Sequence, residues 1–202
     1  MLHLETIEPG TLQLLKSLQA IPALKDTRLV GGTSLALQLG HRNSVDLDLF
    51  GSITISADEL QETIASNHSV TIVNESKNIN IYLIDGIKVD VVNYQYNWLD
   101  EPIQEGPVTL AGIRDIAAMK IAAVIGRGTK KDFVDLFFLL EHFSLQEILD
   151  LYMEKYPDGS VFIAMKSLTY FDDAESDPMP KMFEDVSWET VKNSIRKAVS
   201  QL

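Results

Sequence analysis

Apolar positions recur along this chain with two different periods, and the change from one to the other divides it. Over residues 9–20, Leu12, Leu15 and Leu18 return at helical spacing and predict a helix. Leu29-Val30 predicts a short strand that runs into Gly31-Gly32, and Ser34 to Leu39 predicts a helix closed by Gly40. Residues 45–50 alternate Val, Asp, Leu, Asp, Leu, Phe, the pattern of a strand with one polar face. In that strand Val45, Leu47 and Leu49 face the core, while Asp46 and Asp48 project together. Ser56-Ala-Asp-Glu59 is a capping box opening a helix to about Ala65. Residues 70–74, 79–84 and 87–92 are strand-like, and Asp85-Gly86 between the last two is a two-residue hairpin turn.

Beyond Asn93 the period changes. Residues 94–110, with two prolines, predict a connector. Helices follow over roughly 112–126, 131–142, 145–155, 160–170 and 188–201, and Ser144-Leu-Gln-Glu147 is a second capping box. Residues 172–180 hold four acids and two prolines and predict an exposed loop. The expected fold is therefore mixed α/β (α+β). A sheet-bearing core over 1–100 precedes a helical half over 101–202, and the cleft between them is the natural ligand site.

Charge narrows the function classes. With 29 acidic and 17 basic residues the formal net charge is −12, which argues against a generic nucleic-acid coat. Two basic clusters stand out locally, Lys120/Arg127/Lys130/Lys131 and Lys192/Arg196/Lys197. The absence of cysteine excludes disulfides, thiolate metal sites and cysteine nucleophiles. Neither a signal peptide nor a membrane span is visible, so a cytoplasmic protein is the expectation. Walker, dinucleotide-binding and hydrolase-elbow motifs are all missing, and His3, His41, His68 and His142 show no ligand spacing, which makes them surface or structural residues.

The candidate chemistry lies in a few positions. On a strand, residues two apart share a face, so Asp46 and Asp48 form a carboxylate pair that a divalent cation would neutralise. Asp90, on the polar face of Ile87-Lys88-Val89-Asp90-Val91-Val92, is the best candidate for a third metal ligand. Gly31 and Gly32 let backbone approach a ligand closely, and Thr33 or Ser34 could offer a hydroxyl to a phosphate. In the helix 112–126, Lys120 lies on the buried stripe with Ile113, Ile116, Ala117, Ile121 and Val124, and Arg127 follows on the same face. An inward lysine must meet an anion, either a triphosphate or a carboxylate. Asp135 sits in a helix that is apolar nearly all round and needs a cationic or hydrogen-bonding partner, which Arg127, Lys120 or a backbone amide could supply.

Gly31-Gly32-Thr33-Ser34-Leu-Ala-Leu followed by Gly40-His41-Arg42-x-Ser44-x-Asp46-x-Asp48-Leu-Phe50 resembles the AbiEii-type nucleotidyltransferase toxins of the polymerase-β-like superfamily. Lys120, Arg127, Lys131-Asp132 and Asp135-Leu136 match that family's second block in order and approximate spacing. The resemblance covers about residues 28–140. It implies a polymerase-β-like core with a mixed sheet, with Asp46 and Asp48 as metal ligands. Gly32, Thr33 and Ser34 would hold the nucleotide phosphates, with Gly31 beside them. Lys120 would contact the triphosphate, Asp135 would join the catalytic cluster, Asp132 and Arg127 would support the site, and Arg42 and Ser44 would brace the loop before the catalytic strand. The implied cofactors are Mg²⁺, as one ion or two, and an NTP donor. The implied partners are a cognate antitoxin and, as acceptor, the 3′ end of tRNA. Two alternatives stand beside this one: transfer to a small molecule such as an aminoglycoside or to a protein side chain, and a non-catalytic binding module that keeps the fold.

Overall fold

The computed structural model describes residues 2–202. Helix α1 (Pro9–Gln19) opens with proline, whose missing N–H costs nothing in a first turn, and buries Leu14, Leu15 and Leu18. Strand β1 (Thr27–Val30) runs directly into α2 (Gly31–Leu39), which Gly40 ends in the left-handed conformation at φ 76°. Then come β2 (Leu47–Gly51) and α3 (Ala57–Ala65), the latter with both bonds of its capping box made. Strands β3 (Val70–Glu75), β4 (Ile79–Ile84) and β5 (Ile87–Asn93) follow, and Asp85 and Gly86 turn the β4–β5 hairpin at φ 51° and 84°. Short strands β6 (Ile103–Glu105) and β7 (Val108–Leu110) precede five helices. These are α4 (Ile113–Gly126), α5 (Lys130–Leu139), α6 (Leu145–Lys155), α7 (Val161–Leu168) and α8 (Trp188–Val199).

All seven strands form one mixed sheet in the order β3-β4-β5-β2-β1-β7-β6. β2 lies parallel to β5 and antiparallel to β1, while β1 lies parallel to β7. One face of the sheet carries Leu29, Leu47, Leu49, Val89, Val91 and Leu110, packed against the apolar sides of α1 and α3. The other face carries Val30 and Phe50, which join the core of the helical half with Ile116, Ile121 and Phe133. Among the described residues no helix is long and apolar enough to cross a membrane.

Three details depart from the sequence pattern. Residues 94–110 are more than a connector, because β6 and β7 extend the sheet and β7 pairs with β1 at Leu29↔Leu110. Strands of three residues are too short to display a period, so pairing alone defines them. The helical half thus also contributes two strands to the sheet begun by the first hundred residues. The strand that contains Asp48 starts at Leu47, so Val45 is 52% exposed instead of core-facing, and Asp46 sits in the preceding loop. Helix α2 begins at Gly31 rather than at Ser34, since Gly31 turns the chain out of β1 at φ 68°.

Candidate active site

The carboxylates come together through strand pairing. In the parallel β2–β5 register Asp48 stands opposite Asp90, placing two acids side by side on one sheet face. Asp90 is held by Lys88 Nζ at 2.6 Å, and Asp46, at the mouth of β2, is approached by Lys131 Nζ at 3.4 Å. Asp48 has no ion-pair partner among the described residues. Burial, and then the charge of Asp90, push its carboxyl up to about 6.

The two glycines are set by what lies against them. A Cβ on Gly31 would stand 2.1 Å from Asp48 Oδ2, and one on Gly32 would stand 2.1 Å from Arg42 Nη2. Backbone therefore packs directly on a carboxylate and a guanidinium, which a side chain would displace. Thr33 is buried. Its hydroxyl lies 2.8 Å from the Ser44 hydroxyl and bonds the Asp46 carbonyl oxygen, tying the start of α2 to the loop that presents Asp46. Ser34 is fully buried elsewhere on α2, where its hydroxyl accepts from Gln38 Nε2 at 3.1 Å, so it lines neither hollow of the site.

Behind the acids lies a buried network of charge. Asp135 accepts a two-pronged bond from Arg42, Nε to Oδ1 at 2.6 Å and Nη2 to Oδ2 at 2.9 Å. His41 Nε2 bonds the same carboxylate at 2.8 Å, and Lys120 Nζ reaches it at 2.6 Å. Burial alone would raise the Asp135 carboxyl, but Arg42 and Lys120 outweigh it and hold the group well below the ordinary carboxylate range. One turn earlier, Asp132 receives Arg127 Nε at 2.8 Å, Lys120 Nζ at 3.2 Å and the Thr129 hydroxyl at 2.6 Å. Lys120 is thus fixed between two acids from α5, and its inward aim is explained by carboxylates within the fold. The same ammonium borders the cleft beside Asp48.

The loop carrying His41 and Arg42 is pinned from two sides. The Thr6 carbonyl accepts from Ser44 N at 2.9 Å, the Lys181 carbonyl accepts from Asn43 N at 2.8 Å, and Phe183 N donates to the His41 carbonyl at 3.0 Å. His41 is the site residue that sequence reasoning placed among the surface or structural histidines. Its one clue is that it adjoins Arg42, because its contact to Asp135 spans more than ninety residues.

A cleft of about 320 Å³ is lined both by polar groups, Asp48, Asp90, Lys120 and Arg127 beside Gly31, and by apolar and aromatic ones, Phe50, Met119, Ala123 and Tyr156. Tyr156 Oη meets Tyr94 Oη at 3.0 Å, and the Tyr94 ring stacks near Phe50 at 5.3 Å. This wall is anchored by a buried pair, Lys155 Nζ to Asp115 Oδ1 at 2.6 Å. A second hollow of about 190 Å³ adjoins the first through Asp48, Lys120 and Arg127, and adds Asp46, Lys88 and Lys131. A concavity of about 450 Å³ borders the cleft through Gly126 and Arg127 and one of about 640 Å³ lies away from it; neither holds any of the three candidate ligands Asp46, Asp48 and Asp90. Among the described residues no three acids or histidines converge as a ready-made metal cluster.

This architecture is that of a nucleotidyltransferase fold. Two Helicobacter pylori proteins of known structure, one of them JHP933, superpose with TM-scores of 0.60 and 0.55 at 17% identity. Each match covers 96% of this chain, and 95% and 92% of the respective counterpart. MenT4, a nucleotidyltransferase toxin from Mycobacterium tuberculosis H37Rv, superposes with a TM-score of 0.63 at 18% identity over 94% of this chain and 81% of its own. An uncharacterized protein of Aquifex aeolicus (strain VF5) is 34% identical across 94% of both chains. The family described as nucleotidyl transferase AbiEii toxin, type IV toxin–antitoxin system, matches residues 13–70. Residues 13–70 thus carry an AbiEii nucleotidyltransferase toxin domain signature, and the chain belongs to one family with the Aquifex aeolicus protein. The matched segment holds Asp46 and Asp48, whereas Asp90, Lys120, Asp132 and Asp135 lie beyond it.

Proposed function

We propose that this protein transfers a nucleoside monophosphate from an NTP to an acceptor hydroxyl, with Mg²⁺ bound at the carboxylates, as the toxin of a toxin–antitoxin pair. The observation that carries the reading is the mixed lining of the cleft. A nucleotide has an anionic chain and a flat apolar base, and the cleft offers both lysine and arginine and aromatic side chains. The donor chemistry of its carboxylates suits a hard divalent cation: Asp48 is a carboxylate raised by burial and by a second acid, with no ammonium against it. Asp48 and Asp90 would hold the ion, with Asp46 at the rim. Bound there, it would supply charge neutralisation at the phosphates and lower the barrier to displacement.

The chain's own residues do the rest. The acceptor oxygen forms a bond to the α-phosphorus, the α–β bridging bond breaks, and pyrophosphate leaves. A carboxylate of the pair takes the hydroxyl proton. Lys120 and Arg127 face the phosphate chain with positions fixed in advance by Asp132 and Asp135, so little reorganisation is needed as charge shifts. The type IV family description supports an antitoxin as partner, and tRNA is the acceptor to test first. A purely structural module with this fold would be expected to neutralise its central acid internally, and Asp48 lacks such a partner.

The test is titration calorimetry of each of the four NTPs with Mg²⁺ into the wild type and into Asp46→Ala/Asp48→Ala, followed by transfer of labelled nucleotide to total RNA. Metal-dependent binding lost in the double variant supports the reading. Failure of the wild type to bind any NTP at millimolar concentration refutes it.

A further inference from the structure

Five cationic side chains, Arg42, Lys88, Lys120, Arg127 and Lys131, line the small hollow beside Asp48, and they differ in how firmly they are held; Arg42 is forked onto the buried Asp135. Lys120 is 4% exposed and bonded to two buried acids, and Arg127 is clamped to Asp132 through two nitrogens. Lys88 and Lys131 are held otherwise. Each side chain is 45% exposed, and each touches a single acid, Lys88 on Asp90 at 2.6 Å and Lys131 on Asp46 at 3.4 Å. One comes from β5 and the other from the first turn of α5, and both line the same hollow as Asp48. The two acids they touch are the outer members of the carboxylate set, and the central one is left bare.

An exposed lysine–carboxylate pair is weak, because water solvates both ions and ordering two flexible chains costs entropy. A divalent cation on the same oxygens competes directly with the ammonium and repels it. The displaced amine stays within the reach of its four-carbon stem, and a triphosphate entering this hollow brings several negative charges to that spot. We propose that Lys88 and Lys131 are exchangeable counterions: each neutralises an outer carboxylate until cation and nucleotide enter, and each then turns to the nucleotide's phosphates. The inference rests on the nucleotidyl-transfer reading above and adds two positioning residues to it. It also gives a reason for lysine rather than arginine at both places, since a fork locked two-handed on a carboxylate would release it less readily.

The two halves of the exchange predict shifts of opposite sign. Lys88→Met and Lys131→Met keep the stem and remove the charge. Mn²⁺ titrated alone into either variant should bind roughly two- to fivefold more tightly than to the wild type, since the competing ammonium is gone. Each NTP titrated at saturating Mg²⁺ should bind about tenfold more weakly, because a charge-assisted phosphate contact is lost. Lys25→Met, a lysine outside the hollow, should shift neither, and circular dichroism verifies the folds. If both affinities fall together, or neither moves, the lysines are static surface pairs and the proposal is overturned. If the wild type itself binds neither Mn²⁺ nor any NTP, the nucleotidyl-transfer reading fails and takes this inference with it, an outcome distinct from intact wild-type binding with unresponsive variants.

Discussion

Arg42→Met tests the buried network most directly. The substitution keeps an unbranched stem and deletes a guanidinium that makes two bonds to Asp135, at 2.6 and 2.9 Å, and one to the Asn43 carbonyl at 2.9 Å. Asp135 is fully buried, so the loss cannot be made good by water. Removing one partner of a buried pair typically costs about 3–5 kcal/mol. His41 and Lys120 stay on the carboxylate, so the lower end of that range, about 3 kcal/mol, is expected. For a chain of this size that is a fall of roughly 10 °C in Tm. The pH dependence has a definite sign. In the wild type the folded Asp135 carboxyl lies well below its ordinary value, so the pairing stabilises above about pH 4 and its contribution is lost as pH falls through the depressed folded value. In the variant the carboxyl rises, and the gap between the two proteins should be constant from pH 5 to 8 and narrow towards pH 3. Urea denaturation across that range, with Asp135→Asn and the double variant completing a cycle, measures it. A loss under about 1 kcal/mol, or a double variant equal to the sum of the singles, would refute the claim that the ion pair is desolvated and coupled.

Other variants probe the remaining links. Asp48→Asn should abolish transfer yet raise Tm by several degrees in chelator at pH 7.5, since roughly 3 kcal/mol of unfavourable charge disappears. The raised carboxyl at about 6 means the wild type loses this stability as pH climbs through 6, so melting curves of the two proteins should converge below that pH. Thr33→Val should weaken NTP binding by releasing the Asp46 loop, whereas Ser34→Ala, remote from both hollows, should leave binding unchanged; calorimetry showing the reverse would misplace the two hydroxyls. Lys155→Met strands the buried Asp115 carboxylate and should cost about 3 kcal/mol or more by chemical denaturation, again through one partner of a buried pair.

The sequence alone determined whatever depends on neighbours along the chain. The capping boxes at Ser56 and Ser144 form because the hydroxyl and the glutamate lie within one turn of each other. The Asp85-Gly86 hairpin forms because its turn needs two positive φ angles, and the paired acids at Asp46 and Asp48 announce a site at the end of a glycine-rich turn. Tertiary structure decided the partners. Whether Lys120 pointed at a ligand or at a carboxylate was undetermined by its helical stripe, and α5 answered by bringing two acids to it. Asp90 became a neighbour of Asp48 only through the β2–β5 register, a pairing across some forty residues. The Gly-Gly pair offered room for a ligand, but it is Asp48 and Arg42 that fill that room. The strands over 103–110 are too short to carry a period, and His41 meets Asp135 across more than ninety residues, in a loop to which Lys181 and Phe183 are also bonded. Local spacing is written in the order of residues, whereas the destination of a charge is chosen by whichever distant element must bury an opposite one.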